Sequence, residues 1–198
     1  MVDLKLLFHN FMKYGAIFGA LISVTALGLF FFINPDDFGL GQILFIYLLF
    51  STLPWFVGLY YITKVYRDKE LGGYITMPEI LQFSLFVGFF GGAIYVFGNL
   101  LFLQLVGSDF QIRFFNTLSL KVVSFLEFAK SKQSEIDAVI LQFNTIKEQV
   151  AKGIDVVGVI MAIVQYSFNA FLSMLIFGWF IRKVKPLFPN EDIEKSEF

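Results

Sequence analysis

Few residues in this 198-residue chain are equipped for chemistry. It has no cysteine, which removes disulfides, thiolate nucleophiles and iron–sulfur ligation from consideration. The single histidine, His9, has no Ser, Cys or Asp placed beside it to form a relay, and a conventional zinc site would have to be completed by carboxylates. Asp36-Asp37 follows Asn34-Pro35, where adjacent acids cap a solvated turn more readily than they enclose a divalent cation. Gly72-Gly73 lacks both the Lys-Ser/Thr that would follow it in a phosphate-binding loop and the strand that would precede it, so it reads as a turn. These observations imply no catalytic residue, no metal and no cofactor. The expected protein is not an enzyme.

What remains is a set of neutral polar residues inside long uncharged stretches: Gln42, Asn99, Gln104, Gln165 and Asn169. Carriers and proton relays usually keep ionisable groups at membrane depth, and none stands here. Asn99, Gln165 and Asn169 are therefore expected to form hydrogen bonds between helices, or else to line a polar path for a weakly polar solute.

The elements that carry them are apolar. The chain is 57% hydrophobic and 16% charged, against about 45–50% and about 25% in soluble domains, and its mean hydropathy is +0.73. A net charge of −1 gives no reason to propose nucleic acid as a partner. Four uncharged runs are long enough for the roughly 20 residues a membrane-spanning helix needs: Tyr14–Ile33, Leu40–Thr63, Ile80–Ser108 and Val156–Ile181. The first is too long for a signal-peptide core and no A-x-A site follows, so it is read as a retained span. Pro54 predicts a kink near Ser51, and Trp55, Tyr60 and Tyr61 predict an approach to the water boundary. The 64–79 segment reads as a polar connection leading to a helix start at Thr76-Met77-Pro78-Glu79. Pro186 and Pro189 then end the fourth helix, ahead of an acidic tail expected to be flexible.

Small residues recur every four positions in two spans. Gly15, Gly19 and Ser23 share one helix face, as do Ser84, Gly88 and Gly92. In lipid such faces let helices approach closely, and the two are expected to pack on each other.

Between the third and fourth spans the pattern changes. Residues 109–155 hold six basic and six acidic residues, with apolar stripes Phe115-Leu118-Val122-Phe125-Ala129 and Ile136-Val139-Phe143-Ile146-Val150. They predict an amphipathic helical hairpin, its second arm opened by a capping box of Ser134 and Asp137. Apolar residues outside the seam, Leu120, Val123 and Phe128 among them, predict a second surface for a partner or the membrane. The expected organisation is 1–108 (lead-in and spans one to three), 109–155 (extramembrane hairpin), 156–185 (span four) and 186–198 (tail). Nine basic residues fall on one side of this arrangement (Lys5, Lys13, Lys64, Arg67, Lys69, Arg182, Lys183, Lys185, Lys195), so both termini are expected to face the cytoplasm.

Tyr66-Arg67-Asp68-Lys69-Glu70-Leu71-Gly72-Gly73-Tyr74-Ile75-Thr76, then Asp109-Phe110 and Ser134-Glu135-Ile136-Asp137, complete a pattern over nearly the whole chain. It resembles the bacterial "domain of unknown function forty-one ninety-nine" family of small four-span inner-membrane proteins. Gly107-Ser108-Asp109 departs from the Asp-Pro-Asp expected there. The resemblance implies an all-α bundle in the bacterial inner membrane and carries no catalytic residues. The function expected is a scaffold or anchor for a membrane protein partner, with a polyprenyl-phosphate glycosyltransferase as one client, or a homo-oligomer. The alternative is a carrier or channel for lipid or another weakly polar solute.

Overall fold

A backbone crossing hydrocarbon must bond all its polar groups internally, which leaves a helix as the solution for each long apolar run. The computed structural model describes residues 4–32, 37–106, 108–153 and 155–185. Over these residues the chain forms α1 (Leu4–Phe32), α2 (Leu40–Tyr47), α3 (Leu53–Glu70), α4 (Met77–Val106), α5 (Ser108–Phe128), α6 (Gln133–Lys152) and α7 (Val156–Phe177). Among the described residues there is no strand, only an isolated antiparallel bridge between Ile75 and Lys183. Four stretches are long and apolar enough to cross a membrane: Leu7–Gly28, Leu40–Glu70, Met77–Leu105 and Val156–Phe180.

Two features differ from the sequence reading, and the described part of the lead-in is helical from Leu4. The polar connection begins only after Glu70: Lys64, Arg67 and Lys69 ride on the last turns of α3, where cations suit the carbonyl end of a helix. Finally, Ser134 lies inside the first turn of α6, whose N-cap is Lys132, so no Ser–Asp capping box forms. Asp137 instead accepts from the Gln133 side chain at 2.9 Å. The Pro186–Pro189 stop, the tail and most of the Asn34–Asp37 turn lie outside the described residues.

Pro54 leaves a specific mark. It lacks the N–H that an α-helix would return to the Phe50 carbonyl, and a π-helical turn, Leu48–Thr52, joins α2 to α3 immediately before it.

The centre of the bundle is α4, which packs most extensively on α1 and α7. It meets them with two different faces. Toward α1, an added Cβ on Gly19 would lie 2.6 Å from the Gly91 carbonyl oxygen, and one on Gly15 would lie 2.6 Å from the Phe90 Cβ. Toward α7, a Cβ on Gly88 would fall 2.6 Å from the Ala170 Cβ, and one on Gly92 would fall 2.6 Å from the Tyr166 Cβ. The Gly15-Gly19-Ser23 face therefore rests on Gly91 and Gly98, not on Ser84-Gly88-Gly92. The reason is angular: successive helical residues are about 100° apart, so adjacent Gly91 and Gly92 open two faces.

Ser84 is fully buried and bonds back to the Leu81 carbonyl. The core beside these contacts is aromatic, with Phe11, Tyr14, Phe18, Tyr66 and Phe83 buried together and Tyr66 stacked on Phe83 at 4.0 Å.

The hairpin forms from α5 and α6, each about 30 Å long at 1.5 Å per residue. Lys147 Nζ donates to Asn116 Oδ1 across it at 2.9 Å, and Lys121 Nζ ties it to the Phe38 carbonyl ahead of α2 at 2.5 Å. At the tip the Ser131 N–H bonds the Leu126 carbonyl and the Lys130 N–H bonds the Glu127 carbonyl. This closure places Lys130 at φ 55°, where glycine is usual. Of the first-arm stripe, Phe125 and Ala129 stand exposed near the tip, off the seam.

The glycine contacts have opposite expected outcomes at two positions. Gly88→Ala forces a methyl group into Ala170 and should destabilise the protein by about 1–3 kcal/mol. Gly28→Ala meets nothing within 4 Å, and helix propensity should make it neutral or stabilising by up to about 1 kcal/mol. Thermal unfolding in detergent checks both; an equal loss at the two sites would contradict the packing.

Candidate functional site

Two polar constellations stand out, one at the end of the bundle and one at membrane depth. The first is built by the 66–76 motif. The Glu70 carboxylate, on the last turn of α3, accepts from Tyr14 Oη at 3.0 Å, Lys13 Nζ at 3.4 Å and Asn10 Nδ2 at 3.5 Å, all on α1. Arg67 Nη1 donates to the Ile181 carbonyl at 2.8 Å, while its Nε pairs with Asp68 at 2.7 Å.

Gly72 and Gly73, at φ 64° and 87°, turn the chain so that Ile75 and Lys183 exchange both backbone hydrogen bonds. Thr76 then caps α4, its N–H and hydroxyl both donating to Glu79. Lys183 and Lys185 lie over the Tyr74 ring, at 5.4 and 5.9 Å from its centre. The motif is thus a knot joining α1, α3, the start of α4 and the chain beyond α7.

The second constellation is a cleft of about 610 Å³ between the α2–α3 rod and α7. Tyr47, Ser51 and Trp55 line one wall, and Tyr166, Asn169 and Ser173 the other. Ser51 belongs to the π-helical turn, so the proline that widened the helix also shapes this wall. Trp55 spans the cleft: its indole N–H donates to Ser173 Oγ at 3.3 Å, and its ring packs on Phe18 and Tyr166. Trp55 is half-buried, whereas Tyr60 and Tyr61, further along α3, stand exposed.

Of the three polar residues singled out from sequence, only Asn169 lines this cleft. Gln165 Nε2 donates to Asn169 Oδ1 at 2.9 Å, one turn apart on α7, and both residues are exposed. Asn99 Nδ2 bonds the Tyr95 carbonyl of its own helix at 3.2 Å. Each of these amides spends one polar atom on a local carbonyl or on a neighbour four residues away, and none of the three bonds another helix. That work falls to residues not expected to do it: Ser167 Oγ bonds the Leu85 carbonyl of α4 at 2.7 Å, and Trp55 bonds Ser173. A serine or tryptophan carries no signal of its bonding partner in sequence.

Leu120 and Phe128 stand exposed on the hairpin, and Val123 is half-buried. Among the described residues no three His, Asp or Glu side chains converge on a metal-sized space.

Four apolar spanning helices, without a strand among the described residues, define an all-α multi-pass membrane protein. The family model described as "Protein of unknown function (DUF4199)" matches residues 13–183, and the chain belongs to that family. No curated protein and no solved structure matches it.

Glu70 is the joint of the knot. Glu70→Ala strands the Tyr14 hydroxyl and should cost about 1–3 kcal/mol. In a double-mutant cycle, Tyr14→Phe and Glu70→Ala should couple by about 1 kcal/mol. Additive melting losses would show that the pair does not cooperate.

Proposed function

We propose that this protein is a non-enzymatic integral membrane subunit that anchors a partner protein through the α5–α6 hairpin. The observation that carries this reading is the surface the bundle leaves uncovered: Leu120, Leu141 and Phe128 are 69%, 68% and 86% exposed. Large apolar side chains gain about 1.5–3 kcal/mol each on burial, so three left uncovered on the hairpin invite a partner. An opening of about 690 Å³, lined by Leu103, Ile146 and Val150 as well as Gln111, Gln149 and Lys152, lies between the hairpin and the ends of α4 and α7. A polyprenyl-phosphate glycosyltransferase is the client class that fits the family resemblance.

The membrane is the bacterial inner membrane, with the knot end and both termini cytoplasmic. Lys13, Lys64, Arg67, Lys69, Arg182, Lys183 and Lys185 gather at the knot end, which supports this orientation through the excess of basic residues on cytoplasmic segments.

A second reading, a carrier for lipid or another weakly polar solute, is favoured by the cleft between α3 and α7. Its hydroxyl and indole groups stand at membrane depth beside an opening of about 610 Å³.

Purification from native membranes in mild detergent, followed by mass spectrometry, separates the readings. We expect a stoichiometric protein partner that Phe128→Asp releases without changing the melting temperature of the partner-free chain. A partner that survives Phe128→Asp would place the docking surface elsewhere, and a retained lipid without a protein would favour the carrier. In this cysteine-free chain, Lys132→Cys should be labelled in intact cells and Lys69→Cys only after permeabilisation; the reverse pattern inverts the orientation.

A further inference from the structure

We propose that α7 pairs with α7 of a second copy of this chain inside the membrane, through a seam centred on Gln165. One face of α7 is used up against α4, where Ser167, Ala170 and Met174 are buried. On its uncovered face Met161, Gln165, Phe168, Leu172 and Leu175 are all exposed. Their spacing is four, three, four, three, the alternation that lets two helices wind around each other in a left-handed pair. Lipid would cover the four apolar members equally well. Gln165 is the member it cannot satisfy.

Depth makes that residue informative. The spanning stretch runs Val156–Phe180, so Gln165 and Asn169 lie within about 5 Å of its middle at 1.5 Å per residue. There the bilayer offers neither donors nor acceptors. The bond from Gln165 Nε2 to Asn169 Oδ1 leaves Gln165 Oε1 as an acceptor and Asn169 Nδ2 as a donor, with no partner among the described residues. The same bond holds the two carboxamides within hydrogen-bond distance of each other.

Two copies inserted in the same orientation are related by a twofold axis along the membrane normal, which preserves depth. That axis brings the spare donor of each copy to the spare acceptor of the other. An unrelated helix would need its own matching pair at that depth, whereas a second copy supplies it automatically. A single polar position in an otherwise apolar seam also fixes the register of such pairs.

The full chain, reconstituted in lipid vesicles and counted by single-molecule photobleaching, should show a dimer whose population rises with protein-to-lipid ratio. Gln165→Leu with Asn169→Leu keeps the seam apolar and should weaken self-association by about tenfold. In native membranes, Phe168→Cys should form a disulfide-linked dimer under mild oxidant, while Val24→Cys, exposed on α1, should not. The Phe168→Cys test retains both carboxamides, so it reports on the seam even if the double variant fails to fold. A monomer at every protein-to-lipid ratio, a dimer untouched by the double leucine variant, or equal cross-linking at positions 168 and 24 would each overturn the proposal.

Discussion

The bundle depends on how close α4 can come to two neighbours at once. In hydrocarbon, exchanging lipid contact for helix contact brings little hydrophobic gain, so association rests on close packing and the few hydrogen bonds it permits. Gly15 and Gly19 meet α4 at distances that a single added Cβ would violate, and Gly88 and Gly92 do the same against α7. Close approach also brings the Ser167 hydroxyl within 2.7 Å of the Leu85 carbonyl. With α1 and α7 fixed on separate faces of α4, the α2–α3 rod cannot lie equally close to both. It meets α1 at Gly58, where an added Cβ would fall 2.7 Å from Leu21 Cδ2, and reaches α7 through Trp55, which packs between Phe18 and Tyr166 and bonds Ser173. The cleft is the space left on the α7 side, where large side chains take the place of a glycine contact.

The knot end is held by different physics. Glu70, Arg67 and the Ile75–Lys183 bridge are directed interactions that tie segments far apart in sequence, and the buried Tyr66–Phe83 stack lies next to them. These bonds do not depend on glycine faces, so each end of the bundle resists different perturbations. They also give the 66–76 motif a structural role. Each of its distinctive residues either makes a bond in the knot or permits the turn that closes it.

The number of spans, their approximate limits and the hairpin were legible in the sequence because they rest on hydropathy and on the spacing of apolar residues, both local properties. The pairing of faces was not. Gly88 and Gly92 announce a close contact, but their spacing is silent about whether α1 or α7 fills it, and the neighbouring Gly91 was overlooked as the α1-facing position. Polar residues behaved similarly. Asn99 and Gln165 were conspicuous as amides in apolar runs, yet their bonds are local, while inconspicuous Ser167 and Ser173 bridge helices. Pro54 marked an irregularity without revealing that it would take the form of a π-helical turn lining a cleft.

The hairpin sets the last physical constraint. On α6 only Ile136 is buried, and most of the helix is exposed. An isolated helix of this length is marginal in water and draws its stability from the face it packs. The turn that joins the arms adds cost, since Lys130 occupies a left-handed conformation unfavourable for a side-chain-bearing residue by roughly 1–2 kcal/mol. The packing of α5 on α6, the Lys147–Asn116 bond and the Lys121 tether act against this cost. The hairpin gains further from whatever covers Leu120, Phe128 and Leu141. Its exposed apolar residues therefore couple binding to order: a contact on the outer surface would also stabilise the arms that present it.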